Sequence, residues 1–290
     1  MGALTLNHVN AMPAATWHQL HMNETTVDVP ERLEAARAVV VEADEALLGP
    51  QDAFDAAVAA AQAELDAANA KAAPDARAIL QAVRPDVDPH DLDVPALSVF
   101  EKRAVEEEMA QSVAGTFECA LGDEAAAYLE EVGGAREGRT VLATKAGATE
   151  HATIRVNGID GKANVACVDI VAAENSTITL NVAFDSPDAG AGVIGLYARV
   201  FAGKNARVNV ATIHTLGQSW LALDGEGYIA CEDARIQVDH RVLGAGQSYG
   251  TLMSELPRTD AQTISNLDSL ERLINGIDKE LRWKTTSTKR

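Results

Sequence analysis

Aromatic residues and cysteines are scarce in this sequence, and acidic residues far outnumber basic ones. Phe, Trp and Tyr make up 4% of the 290 residues, whereas apolar residues as a whole reach 47%. The apolar content is therefore carried by Ala, Val, Ile and Leu, which suits a narrow aliphatic core. The three cysteines lie far apart and include no CxxC pair. They do not predict a disulfide framework, so we expect reduced thiols in a cytoplasmic protein.

The charge and the lack of long apolar runs exclude several classes of partner. The formal net charge is −19, which argues against nucleic acid or a membrane surface as the main partner, because both are themselves negative. The apolar runs fall far short of the roughly 20 residues needed to cross a bilayer. The N-terminus lacks a basic segment followed by an apolar one, so we do not expect a secretory signal.

The motifs of several common enzyme classes are also missing. The sequence has no Gly-rich P-loop, no GxSxG nucleophile elbow and no HExxH zinc motif. We therefore predict a protein that is not an enzyme. Two alternatives are a self-assembling structural solenoid and a β-helix carbohydrate-active enzyme, which would need convergent carboxylates on an outer strand face. Asp169 and Asp185 are the candidates for that second role.

The central part of the sequence repeats itself. A polar turn followed by a short β-branched alternation occurs at 174–182, 204–212 and 232–240, and a weaker copy lies at 148–156. Asn175, Asn205 and Asp233 mark equivalent positions, so the offsets are 30 and 28 residues. A segment that recurs at such a period is one unit of a repeat architecture, and each unit buries its apolar face only against its neighbours.

A second strand-like run follows each copy, at 163–172, 193–202, 220–229 and 248–256. Two strands per period, with no helical pattern between them, are typical of a solenoid and not of a βαβ sheet. We therefore predict a mainly β fold, in which residues 138–258 form a parallel β-helix of about four two-strand coils. Its crossovers are expected to be right-handed, because parallel connections have a strong chirality.

Stacking the repeats predicts which side chains face the interior. Two apolar columns follow from the alignment: Ile178–Val208–Ile236 and Leu180–Val210–Val238. The residues between these columns are polar and are expected to point outward, as in a strand with one buried face. The body of the protein is thus predicted to be a thin aliphatic rod.

The flanking segments have a helical pattern. Residues 1–137 are expected to hold an N-terminal arm and a helical region, and residues 259–290 a C-terminal amphipathic helix and tail. Helices are predicted from Pro30 to a stop at Gly49-Pro50, then over 51–72, 76–83, 97–121, 123–132 and 265–284. Their expected role is to cap the open ends of the solenoid.

Three residues of the repeat region are candidate ligands. His240 falls in the inward register above Thr212, and His214 falls two positions further along, in line with Phe184. Cys231 stands where a new coil begins. Thiolate and imidazole are ligand types that iron accepts, so these residues are possible iron–sulfur ligands. A histidine in an apolar column is more often a structural or end-of-strand residue than a ligand, and the sequence by itself does not show that these residues converge.

Several motifs resemble the SufB/SufD family of iron–sulfur cluster assembly proteins. They are the segment TWHQLHMN at 16–23, the coil starts at Glu174, Lys204 and Glu232, and the segments VATIHTLGQ at 210–218 and LGAGQSY at 243–249. The similarity covers roughly 12–30 and 138–257, and the chain is similar to the compact scaffolds of minimal two-component systems.

The resemblance implies a scaffold component of the SUF system. Such a protein would pair through its β-helix, as a homodimer or with a SufB/SufD paralogue, and would bind a SufC-like ABC ATPase. A transient iron–sulfur cluster would be its cofactor. The helix that follows Pro257 does not look like the ligand-bearing signature of the family. No family ligand is therefore transferred to this chain. Cys231, His214 and His240 are candidates only because of their residue types and their positions in the repeats.

Overall fold

The computed structural model describes residues 3–9, 25–30, 33–72 and 121–255. The described residues up to Gln62 and from Leu121 onward belong to one compact unit, and 63–72 belong to a second. The expectations for the segment at 16–23, for Cys119 and for helices over 76–83, 97–120 and 265–284 fall outside the described residues.

The elements that precede the repeats are short strands and two helices. In chain order they are β1 (Ala3–Val9), β2 (Thr25–Pro30), β3 (Glu34–Ala35), β4 (Val39–Ala43), a 3-10 helix (Glu45–Leu47), α1 (Ala53–Ala72), α2 (Asp123–Gly133) and β5 (Arg139–Ala143). Strands β1 and β2 pair antiparallel. The predicted helices over 51–72 and 123–132 are confirmed as α1 and α2. Neither of these two helices has the length and apolar character needed to cross a bilayer.

The helix predicted from Pro30 to the Gly49-Pro50 stop is wrong. Strand β4 pairs antiparallel with the first repeat strand, and β3 pairs parallel with the second. The residues Val39, Val40 and Val41 alternate between half-buried and exposed, which is the period of a strand. β-Branched residues lose rotamer freedom in a helix, so these valines favour a strand paired with the edge of the sheet over a helix.

The repeats wind into a parallel β-solenoid, as predicted. Its strands are β6 (Thr149–Asn157), β7 (Lys162–Ala172), β8 (Thr177–Asp185), β9 (Gly192–Ala202), β10 (Arg207–Thr215), β11 (Trp220–Ala230), β12 (Arg235–Gly244) and β13 (Gln247–Glu255). One sheet has the order β12-β10-β8-β6-β4 and the other β13-β11-β9-β7-β3, with β5 also on β7. Each coil therefore contributes one strand to each sheet, and the four coils lie one on another.

The predicted columns are confirmed by the strand register. Val208 lies opposite Ile178 on one side and Ile236 on the other, and Val210 lies likewise between Leu180 and Val238. Burial of each such side chain stabilises the fold by about 1.5–3 kcal/mol relative to exposure. The solenoid therefore holds itself together by contacts between coils.

The turn that starts each repeat has the same backbone conformation in successive coils. Asn175, Asn205 and Asp233 have φ of 59°, 54° and 56°, and Gly147 has φ of 71° at the equivalent place upstream. The Asn205 side chain donates to Asn175 Oδ1 at 2.7 Å. Asn, Asp and Gly tolerate this left-handed conformation, which explains why these residue types mark the period.

A second apolar cluster lies on the outer face of the β7 sheet. Helix α2 places Leu129 there, and β1 and β2 contribute Leu6 and Val27. The Cys167 thiol belongs to this cluster and donates to the Leu129 carbonyl at 3.6 Å. Helix α2 and strands β1 and β2 therefore cover part of the outer face of β7, β9 and β11.

Candidate functional site

The interior of the solenoid changes from apolar to polar in its last two coils. Asp224 and Glu226 lie on the inward face of β11, between Ala222 and Tyr228, which belong to the main core. On β9, one coil earlier, the same positions hold Leu196 and Ala198. Two carboxylates thus replace two aliphatic side chains in the core.

The facing sheet makes the same change. The column that begins with Ile154 and Val182 continues as Thr212 and then His240. The neighbouring column places His214 after Phe184. The predicted register of both histidines is confirmed, and both lie opposite the carboxylates of β11.

Asp224 is the centre of the resulting cluster. Its Oδ2 lies 3.4 Å from His214 Nε2 and 3.4 Å from His240 Nδ1. The other ring nitrogen of His240, Nε2, lies 3.4 Å from Glu226 Oε2. Tyr228 donates its hydroxyl hydrogen to the same Glu226 oxygen at 2.5 Å. Asp224, Glu226 and His214 are almost fully buried, whereas 28% of the His240 side chain is exposed.

Several buried polar atoms of this cluster lack a hydrogen-bond partner. They are Thr212 Oγ1, His214 Nε2, both carboxylate oxygens of Asp224 and Glu226 Oε1. A buried polar atom without a partner costs about 1–3 kcal/mol, and more when it is charged. Five such atoms in one place are unusual, because proteins satisfy most buried polar groups.

The environment shifts the pKa values of the cluster. Burial raises the pKa of Glu226 above its ordinary range, and the neighbouring Asp224 charge raises it further. Burial also raises the pKa of Tyr228 well above the usual value. The hydrogen bond to Glu226 raises the pKa of His240, in opposition to burial. The site therefore holds protons more tightly than the same groups would in water.

His214 is positioned by a hydrogen bond at one ring nitrogen and by stacking on its face. The ring stacks on Phe184 with a centroid distance of 4.5 Å and an interplanar angle of 15°. Ser248 Oγ lies 3.3 Å from Nδ1, which leaves Nε2 directed at Asp224. The position of this imidazole is thus set by three coils at once.

Of the three predicted ligands, the structure brings His214 and His240 together and places Cys231 elsewhere. Cys231 lies in the turn after β11, where its N–H donates to the Ala202 carbonyl at 2.8 Å. Seven residues of extended strand separate it from Asp224, which corresponds to roughly 23 Å. A single ion bound by the histidines is therefore out of reach of the Cys231 thiol.

Sequence reasoning missed Asp224, Glu226 and Tyr228. The segment that holds them, WLALDGEGYIA at 220–230, was recognised only as a strand. An alignment with 192–202 places both acids on the inward face, because Asp224 and Glu226 continue the every-second-residue series that Trp220 and Ala222 begin. The sequence alignment of the repeats covers the first strand of each coil, and these acids lie on the second strand, where the repeats are less alike.

The outer-face carboxylates considered for carbohydrate chemistry have structural partners. Asp169 is fully buried and accepts from Arg139 Nη1 at 2.8 Å and from Arg199 Nη2 at 2.6 Å. Asp185 accepts from the Thr215 hydroxyl at 3.0 Å. These two residues therefore do not form a pair of convergent acids.

The fold and the cluster define a β-solenoid whose last two coils enclose acidic and imidazole side chains. No protein-family model, no curated protein and no solved structure matches this chain.

Proposed function

We propose that this protein is a cytoplasmic scaffold component of iron–sulfur cluster assembly, related to the SufB/SufD proteins and acting with a SufC-like ABC ATPase. It would not be an enzyme itself. Its body would be a right-handed parallel β-helix that pairs with a second copy or with a SufB/SufD paralogue. The cluster would be its cargo and not a resident cofactor.

One coincidence between sequence and structure supports this proposal. The two segments that resemble the family, 210–218 and 243–249, belong to the last two coils and adjoin where Thr215 pairs with Gly244, whereas 247–249 pairs with β11. His214, from the first segment, and Ser248, from the second, meet beside the buried carboxylate of Asp224. Two of the motifs that suggest the family therefore contribute His214 and Ser248 to the polar interior, next to residues that lie outside those motifs.

The thiol that could receive a cluster is separate from that interior. Iron–sulfur clusters are bound mainly by cysteine thiolates. Cys231 is half-buried at the edge of the solenoid, whereas Cys167 is covered by α2. Among the described residues no second thiol lies beside Cys231. Further ligands would come from outside the described residues or from a paired subunit, as in assembly at an interface.

The test combines a partner assay with a reconstitution assay. The full chain is co-expressed with a SufC-like ATPase, and the purified protein is incubated anaerobically with Fe²⁺ and sulfide. We expect a stable complex with the ATPase and a visible chromophore that Cys231→Ser removes and Cys167→Ser retains. Failure to retain either the ATPase or the chromophore would overturn the proposal.

A further inference from the structure

Three donor groups in the solenoid interior converge closely enough to share one ion. In the part of the chain that the structure describes, one ligand atom from each of Asp224, Glu226 and His240 lies within 4.8 Å of the others. Zinc and similar cations keep carboxylate and imidazole ligands at about 2.0–2.2 Å. Small rotations of these side chains would therefore bring all three donors onto one ion.

The unpartnered atoms point to a ligand independently of that geometry. Both oxygens of Asp224 and Oε1 of Glu226 are buried and have no hydrogen-bond partner. Two carboxylates in a core are costly when they stand two residues apart on one strand. The basic groups that face them among the described residues are the imidazoles of His214 and His240, at 3.4 Å. A divalent cation would satisfy the orphaned oxygens and balance the charge.

Gly250 and Tyr228 lie beside the cluster. Gly250 lies opposite Asp224 on β13, and a Cβ there would be 3.9 Å from His240 Nδ1. The absence of a side chain at Gly250 thus keeps one side of the cluster open. Tyr228 holds Oε2 of Glu226, so Oε1 is left for a metal, in the manner of an outer-shell partner.

We propose that Asp224, Glu226 and His240 bind one divalent transition-metal cation inside the last two coils. The donor set contains one imidazole and two carboxylates, which suits Fe²⁺, Mn²⁺, Co²⁺ or Zn²⁺. The imidazole disfavours Ca²⁺, which takes oxygen ligands. With no thiolate among the donors, the site suits a single ion and not an iron–sulfur cluster. The bound ion would join the two sheets of these coils, since Asp224 and Glu226 come from one sheet and His240 from the other.

The experiment uses the full chain, stripped with EDTA and dialysed, and titrates it with Co²⁺ as a spectroscopic probe. We expect one Co²⁺ per chain, new visible absorbance and a higher unfolding temperature. Asp224→Asn, Glu226→Gln and His240→Gln are each expected to weaken binding by about tenfold or more. The control is Asp188→Asn, which changes an exposed acid in the turn after β8 and removes the same charge away from the cluster. It should leave the affinity unchanged.

Metal-free stability separates a metal site from a structural cluster. If the acids exist to bind a cation, Asp224→Asn and Glu226→Gln should leave the metal-free protein as stable as the original, or more so. Lower stability together with unchanged Co²⁺ affinity would overturn the proposal, as would no Co²⁺ binding at all. A second measurement needs no variant: Zn²⁺ should protect His240, but not the exposed His151, from diethyl pyrocarbonate. Equal modification of both at saturating Zn²⁺ would also overturn it.

This inference does not depend on the assembly role. Co²⁺ binding is measured without the ATPase, without sulfide and with Cys231 intact. Loss of the ATPase interaction would leave the cation site standing, and loss of Co²⁺ binding would leave the scaffold proposal standing.

Discussion

His240 and Asp224 belong to different sheets, yet His240 Nδ1 lies 3.4 Å from Asp224 Oδ2 inside the solenoid. The contact exists because the two sheets of each coil face each other across a narrow core. Earlier coils fill the same space with Val182 and Leu196. The interior of the solenoid is thus aliphatic in its first coils and polar in the last two described coils.

Inward and outward positions of one strand should differ in their contribution to stability. Leu180 is fully buried between neighbouring coils, so Leu180→Ala is expected to lower the free energy of unfolding by about 2–5 kcal/mol. The adjacent Thr179 points to the other face, and Thr179→Ala should cost less than about 1 kcal/mol. Urea denaturation of both variants measures the difference. Similar losses for the two would contradict the stacked register.

The buried ion cluster on the outer face should be sensitive to loss of its acid. Asp169 lies between two guanidinium groups, those of Arg139 and Arg199. Asp169→Ala removes the buried partner of both guanidinium groups and leaves them only the more exposed Glu130 and Asp55. We expect it to destabilise the fold by about 3 kcal/mol. The exposed pair between Asp239 and Arg241 provides the comparison, and Asp239→Ala should barely change the urea midpoint. An equally small effect at Asp169 would show that solvent or another group compensates the arginines.

The left-handed turn residues should tolerate glycine better than alanine. Asn205 has φ of 54°, a conformation that costs a residue with a Cβ about 1–2 kcal/mol. Asn205→Ala is therefore expected to lower the unfolding temperature more than Asn205→Gly, although both lose the side-chain bond to Asn175. Differential scanning calorimetry compares the two variants. The reverse order would contradict a left-handed backbone conformation at this position, because both variants lose the same side-chain bond.

The Cys167 thiol should resist alkylation at ordinary pH. Burial raises the pKa of this thiol to about 11, and the thiolate is the reactive form. Because the shift is upward, iodoacetamide labelling should stay slow from pH 7 to pH 9 and begin only near pH 11. An unperturbed thiol already becomes reactive near its pKa of about 8.5. Peptide mapping after a timed pulse follows the modification of Cys167 and Cys231 separately.

Cys231 serves as the internal reference in that experiment. Its half-buried position in the turn after β11 should allow labelling in the folded protein at pH 8, before Cys167 reacts. Urea should make the two thiols react at similar rates. Rapid labelling of Cys167 in the folded state would show that α2 opens away from the β7 sheet.

The sequence was most informative where each residue packs against the residue at the equivalent position of the next coil. Val208 between Ile178 and Ile236, and His240 beyond Thr212, follow from the period alone, because a parallel register repeats one alignment from strand to strand. The segment 39–43 was misassigned because its partner, β6, lies more than a hundred residues away in sequence. Helix propensity is a local quantity, and it carries no information about a distant open sheet edge.

By itself, the sequence determined the solenoid, its columns and the inward direction of His214 and His240, because these depend only on periodicity. Only the tertiary structure decided which groups those histidines meet. Asp224 and Glu226 come from the other sheet, and the distance across the core is a property of the closed coil and not of either strand. The same closure leaves Cys231 at the edge, because a thiol at the end of an extended strand cannot reach a cluster near the middle of that strand.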